Sequence, residues 1–183
     1  MKELVLGLIL LAGIATTPAY SKPYVSGSVG LGILGDWDEA GYHKKFDRAT
    51  AWNGAVGYRF GSSMRLEGAL GYESHNYKSP SGDDLSLLTV MANGYYDIDL
   101  GSAYTPYLMV GAGVADVDVS WSADSMTSFV WQVGAGMGFK VNDNFTFDLG
   151  YRYIKPEGLE CPYEGNDVNL HSQHIMAGIR YQF

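Results

Sequence analysis

The feature that most constrains this chain is alternation: side chains switch between apolar and small or polar every second residue, in blocks of about ten. From Thr50 to Phe60, Trp52, Gly54, Val56, Tyr58 and Phe60 share one face, and Asn53, Ala55, Gly57 and Arg59 share the other. After Gly61-Ser62-Ser63, Leu66, Gly68, Leu70 and Tyr72 alternate with Arg65, Glu67, Ala69 and Gly71, which predicts a hairpin. The pattern returns at Phe129–Phe139, at Phe145–Tyr153 beyond an Asn142-Asp143-Asn144 turn, and at His174–Phe183. Leu85–Ile98 and Pro106–Val119 are less regular, and with Tyr24–Leu34 they bring the expectation to about eight strands. Gly57-Tyr58, Gly71-Tyr72 and Gly150-Tyr151 each set Gly on the polar face and Tyr on the apolar one. No longer repeat period is present.

Alternation does not say which face is outside, because a soluble ligand-binding barrel alternates too. The polar face decides. A surface in water would carry many Lys, Glu and Thr, whereas this one is mostly Gly, Ala, Asn and Ser with isolated charges. Small residues suit the lumen of an eight-stranded barrel, which side chains fill. Aromatics mark the two ends of the other face. With both termini on one side, Trp52, Tyr72, Phe129, Trp131 and Tyr153 lie near the far ends of their strands, and Tyr151 counts among the girdle residues. Tyr58, Phe60, Phe139, Phe145, Tyr181 and Phe183 fall near the terminal side, and Val56, Leu70, Val133, Ala135 and Leu149 lie between. Two aromatic girdles around an aliphatic band face lipid. The expected fold is therefore all-β: a closed antiparallel transmembrane barrel, since closure satisfies every backbone group without water.

Connections give the orientation. Gly61–Ser63, Asn142–Asn144 and the stretch near Asp99–Thr105 are short to moderate; Asp36–Ala49, Glu73–Asp84, Asp116–Ser128 and Lys155–Leu170 are longer. Short periplasmic turns and long extracellular loops are the expected arrangement, with the termini in the periplasm. The first residues agree with export. Lys2 precedes an apolar run, Leu4–Ile14, too short to span a bilayer, and Thr17, Ala19 and Ser21 offer small residues for cleavage. Residues 1–21 are expected to be a cleaved signal peptide and residues 22–183 the barrel domain. No later run is long and apolar enough for a spanning helix. The net charge of −8 gives no electrostatic case for nucleic acid. A lone cysteine, Cys161, forms no internal disulfide and suggests no metal site.

These residues resemble the opacity-protein and outer-membrane protein A-like family of small barrels. Ala177-Gly178-Ile179-Arg180-Tyr181-Gln182-Phe183 resembles the family's last strand, and Tyr181 with the terminal Phe183 resembles the signal read by the outer-membrane assembly machinery. Thr105-Pro106-Tyr107, Gly111-Ala112-Gly113 and Leu149-Gly150-Tyr151-Arg152-Tyr153 are similar to other family segments. The resemblance implies insertion in the outer membrane of a Gram-negative bacterium, among its lipids and lipopolysaccharide. It implies less about activity, because the family includes adhesins, complement-resistance proteins and barrels with mechanical roles.

Arg59, Arg65, Glu67, Asp148, Arg152 and Arg180 fall on the inward face. They line either an ion-selective passage or a salt-bridged plug; the narrow lumen favours the plug, with Glu67 and Asp148 pairing Arg152 and Arg180. Ser172 and His174 share a face, and Glu157 or Glu160 is a candidate orienter, so a lipid A deacylase is a remote alternative. The His-any-Ser order of those deacylases is missing, and rim histidines explain the pair more simply. Acidic groups at Asp36-Trp37-Asp38-Glu39, Asp83-Asp84, Asp116 with Asp118, and Glu157, Glu160 and Glu164 lack calcium-loop spacing and read as a solvated surface. His43-Lys44-Lys45 is the one basic island, and Trp37, Tyr42, Trp121 and Tyr163 are aromatics in or beside the loops. The reading is a structural, surface-exposed barrel whose loops meet host surface ligands, with a small porin-like channel as the alternative. No catalytic residue, cofactor or metal is expected.

Overall fold

The computed structural model describes residues 21–34, 37–39, 42–44, 49–76, 84–119, 126–157 and 171–183. Eight long strands form one closed sheet: β1 (Ser21–Leu34), β4 (Ala49–Phe60), β5 (Met64–Asn76), β6 (Asp84–Asp97), β7 (Tyr104–Val119), β8 (Met126–Lys140), β9 (Phe145–Glu157) and β10 (Ser172–Gln182). Every neighbour is antiparallel, and β1 closes the ring by pairing both β10 and β4. No edge is left unpaired, which is what a sheet in lipid requires.

The period-two pattern sets which face is outside. Val56, Leu70, Val110, Val133, Leu149 and Ile175 are all large, apolar and exposed. Arg65, Glu67, Ala69, Asn93 and Gln132, on the opposite face, are buried in the lumen. The short connections β4–β5, β6–β7 and β8–β9 lie at the same end as both termini. Gly61 and Gly101 turn two of them with φ of 61° and 62°, a left-handed conformation that glycine adopts without strain. Asn142 closes the third, accepting from the Asn144 and Phe145 amides through Oδ1.

Two features depart from the sequence reading. Strands β5, β7 and β9 run past the expected rim to Asn76, Val119 and Glu157, so Glu73, Asp116 and Lys155 sit in strands rather than loops. Ladder bonds need no apolar side chain, so a strand can outlast its hydrophobic alternation. In addition, Asp36–Ala49 is not all loop. Within it β2 (Trp37–Glu39) and β3 (Tyr42–Lys44) pair antiparallel, with Trp37 opposite Lys44 and Asp38 opposite His43. Residues 1–20, Cys161, Trp121, Tyr163, Glu160 and Glu164 lie outside the described residues.

Candidate functional site

The lumen is built from inward positions of facing strands, and its periplasmic third is a charge cluster. Arg59 on β4 and Arg65 on β5 both reach Asp97 on β6, at 2.5 and 2.8 Å. Arg65 is forked, donating from Nε and Nη2, and its guanidinium lies 4.2 Å from the Tyr95 ring centroid. Taking a carboxylate out of water is costly, and the two arginines offset that cost. Asp97 was not singled out by the sequence. Tyr95 and Tyr96 are adjacent aromatics and hide the parity of β6, although the pairing of Arg65 with Tyr95 across the β5–β6 ladder supplies it.

Glu67 sits one layer further in and has no arginine partner among the described residues. Tyr24 Oη and Ser26 Oγ donate to its Oε2, while Tyr95 Oη and Asn93 Nδ2 donate to Oε1. The expected Glu67–arginine pair is thus replaced by neutral donors, because Tyr24 and Tyr95 also point inward from β1 and β6. Asp148 does meet Arg180, at 3.4 Å. Arg152 forms no ion pair among the described residues; it lines two small cavities, of about 40 and 30 Å³. Glycine makes the crowding workable: a Cβ on Gly57 would come within 2.6 Å of the Tyr24 ring and the Leu66 carbonyl oxygen.

Outward of this network the lumen turns apolar. Ala55, Ala69, Met91, Ala115 and Val130 form one buried cluster, with Leu87 and Ile154 packed on it. The sequence reading treated the inward face as small and polar; β6, β8 and β9 contribute aliphatic side chains to it because eight walls leave a volume that only packing fills. Beyond that layer, His174 on β10 contacts Ser172 Oγ at 2.7 Å and Glu73 Oε1 at 3.1 Å. The orienting carboxylate is Glu73, not Glu157, which accepts instead from Trp131 Nε1 and pairs with Lys155 on the outer wall. Both contacts of His174 use the same nitrogen, Nε2. A nucleophile relay requires the carboxylate on one ring nitrogen and the serine on the other.

On the outer wall the girdle residues occupy two bands. Trp131 and Tyr153 lie 5.8 Å apart, centroid to centroid, near the external rim, where Tyr153 stacks on His171; Tyr151 donates to Gln173. Trp52 and Tyr72 are paired in register and exposed. At the periplasmic end Phe139 contacts Tyr104 and Phe147, and Tyr181 contacts Phe145 and Phe183. Tyr58 and Phe60 belong to the same end and are half-buried. The Phe183 amide donates to the Pro23 carbonyl, tying the last residue to the first strand.

A closed eight-stranded antiparallel barrel with an aliphatic belt, two aromatic girdles and a filled lumen defines an integral outer-membrane protein. The chain belongs to the outer membrane protein beta-barrel domain family, whose family model matches residues 4–183. It is similar to the outer membrane protein PagN of Salmonella typhimurium, 28% identical over 93% of this chain and 78% of PagN. Among solved structures it resembles Neisserial surface protein A, with a TM-score of 0.72 at 23% identity over 88% of this chain and 97% of that one. It also resembles the attachment invasion locus protein Ail of Yersinia pestis, solved in complex with the heparin analogue sucrose octasulfate. There the TM-score is 0.53 at 19% identity, over 88% of this chain and 99% of Ail. The protein resides in the outer membrane of a Gram-negative bacterium.

Proposed function

We propose that this barrel is a surface-interaction protein: a rigid, sealed scaffold whose extracellular loops engage ligands on host cells. The observation that carries the reading is the packed lumen. An apolar layer that includes Ala55 and Val130 lies across it, and on the periplasmic side Arg59, Arg65 and Arg180 are tied to Asp97 and Asp148. With the interior given to packing, the surface left for a ligand is the loops, and binding residues concentrate on loops held by a rigid frame. Within the first loop β2 and β3 pair, with Lys44 opposite Trp37. The likeness to Ail makes a sulfated glycan the first ligand to try on this basic island.

Three narrower statements belong to the same reading. Residues 1–21 are removed on export, and the assembly machinery reads the last strand through Tyr181 and Phe183. The inward arginines and carboxylates serve as a plug. Catalysis is no part of it: His174 faces the lumen, away from lipid, and presents one nitrogen to both partners.

The test compares cells displaying the natural barrel with cells displaying a version whose four outer loops are cut to short turns. Heat-modifiable gel mobility checks that both fold. Binding to host cells and to immobilised heparin is expected for the natural barrel alone. Equal binding by both versions, or binding by neither, would remove the loop-mediated role.

A further inference from the structure

Most outward positions in the aliphatic belt carry Val, Leu, Ile or an aromatic, but small residues interrupt it at Gly68, Ala92 and Ala112 on β5 to β7, and again where two glycines meet on β1 and β4. Gly27 on β1 is paired with Gly54 on β4, and both face outward. A Cβ at either position would meet nothing within 4 Å. The recess they floor is a groove of about 660 Å³.

Register explains its shape. One row of paired residues runs Leu70–Gly54–Gly27–Ile179–Phe147 through β5, β4, β1, β10 and β9. The next row toward the external side runs Tyr72–Trp52–Val29–Ala177. Gly54, Gly27 and Ala177 make the floor, and the large side chains of both rows make the walls. Three strands are two spacings of about 4.8 Å, so the open floor is about 10 Å across, wide enough for the methylenes of one acyl chain.

We propose that this groove holds one acyl chain of an outer-leaflet lipopolysaccharide molecule as a specific, seated lipid. Three observations point to that occupant. The groove is continuous with the lipid-facing surface of the barrel, so hydrocarbon is what surrounds it. Its walls are hydrocarbon and aromatic side chains. Its external end is marked by Trp52 and Tyr72, exposed by 59% and 48%, the amphipathic residues that sit at headgroup level. The polar end of the ligand is therefore on the extracellular side, where lipopolysaccharide forms the leaflet. A second copy of the barrel fits less well, because its convex wall would rest on the ridges of Trp52 and Phe147 and leave the floor unfilled.

The test uses the full barrel in phosphatidylcholine nanodiscs containing lipopolysaccharide, with ¹³C in the acyl chains of one lipid at a time. Cross-peaks between labelled chains and protein protons are compared at the groove wall and at the Val133–Ala135 wall. The expected result is an excess at Gly27, Gly54 and the Trp52 indole when lipopolysaccharide carries the label, and none with labelled phosphatidylcholine. Gly27→Leu with Gly54→Leu should abolish the excess at Trp52, Gly54→Ala should reduce it, and Ala135→Leu should leave it unchanged; gel mobility confirms folding. Equal intensity at both walls, an excess carried by phosphatidylcholine, or contacts between two barrels would each overturn the proposal.

Discussion

At the scale of single residues, the lumen is organised by what each charge finds within reach. Asp97 carries two arginines, whereas Asp148 carries Arg180 alone at 3.4 Å and stays partly exposed. Asp97→Ala would leave Arg59 and Arg65 without a carboxylate in a packed lumen, and removing one partner of a buried pair costs about 3–5 kcal/mol. Urea unfolding of the refolded barrel should show that loss at Asp97 and a smaller one at Asp148→Ala; equal small effects at both would mean the cluster is not structural. The inward placement of Arg59, Arg65, Glu67, Asp148, Arg152 and Arg180 was legible from parity alone. Which carboxylate meets which arginine was not, because partners such as Arg59 and Asp97 lie two strands apart in the ring and 38 residues apart in sequence. Tyr95 and Asp97 complete the network from β6, whose alternation is blurred, and Tyr24 joins it from β1.

At the scale of elements, each strand has two solvents, one per face. Leu149 is outward and in the middle of β9, and Tyr153 is outward near its external end. An arginine at the bilayer midplane of such a barrel costs about 2–4 kcal/mol, falling to about 0–1 near the interface. Leu149→Arg should therefore destabilise far more than Tyr153→Arg when unfolding is followed in phospholipid vesicles. The reverse order would mean that the belt is misplaced along the strand. Strand extension follows from the same two-faced logic. The hydrophobic pattern reports only the part of a strand that touches lipid, so the extensions of β5, β7 and β9 beyond the belt were invisible to it. The β2–β3 hairpin was hidden for a related reason: with three residues on each side, there is too little alternation to read.

At the scale of the whole molecule, the sealed barrel proposed above rests on closure and filling together. Ion pairs occupy the periplasmic side of the lumen, aliphatic side chains the middle, and the His174–Glu73 contact the external side. In planar bilayers the purified protein should give no steady single-channel steps. Met91→Gly with Val130→Gly thins the apolar layer without touching the charges and should produce a measurable leak. Steady conductance by the natural barrel would restore the channel reading and displace the plug. Function is then pushed to the two surfaces left, the loops outside and the lipid-facing wall.

What the sequence determined by itself was the barrel, its strand number, its orientation and the identity of its two faces. Those properties follow from a period of two, from aromatic position and from connection length, all of which are local. Only the tertiary structure decided the partners of Asp97 and Glu67, the apolar layer in the lumen and the groove at Gly27 and Gly54. Each of these depends on how strands distant in sequence are staggered against one another, and register around a closed ring is set by all eight strands at once.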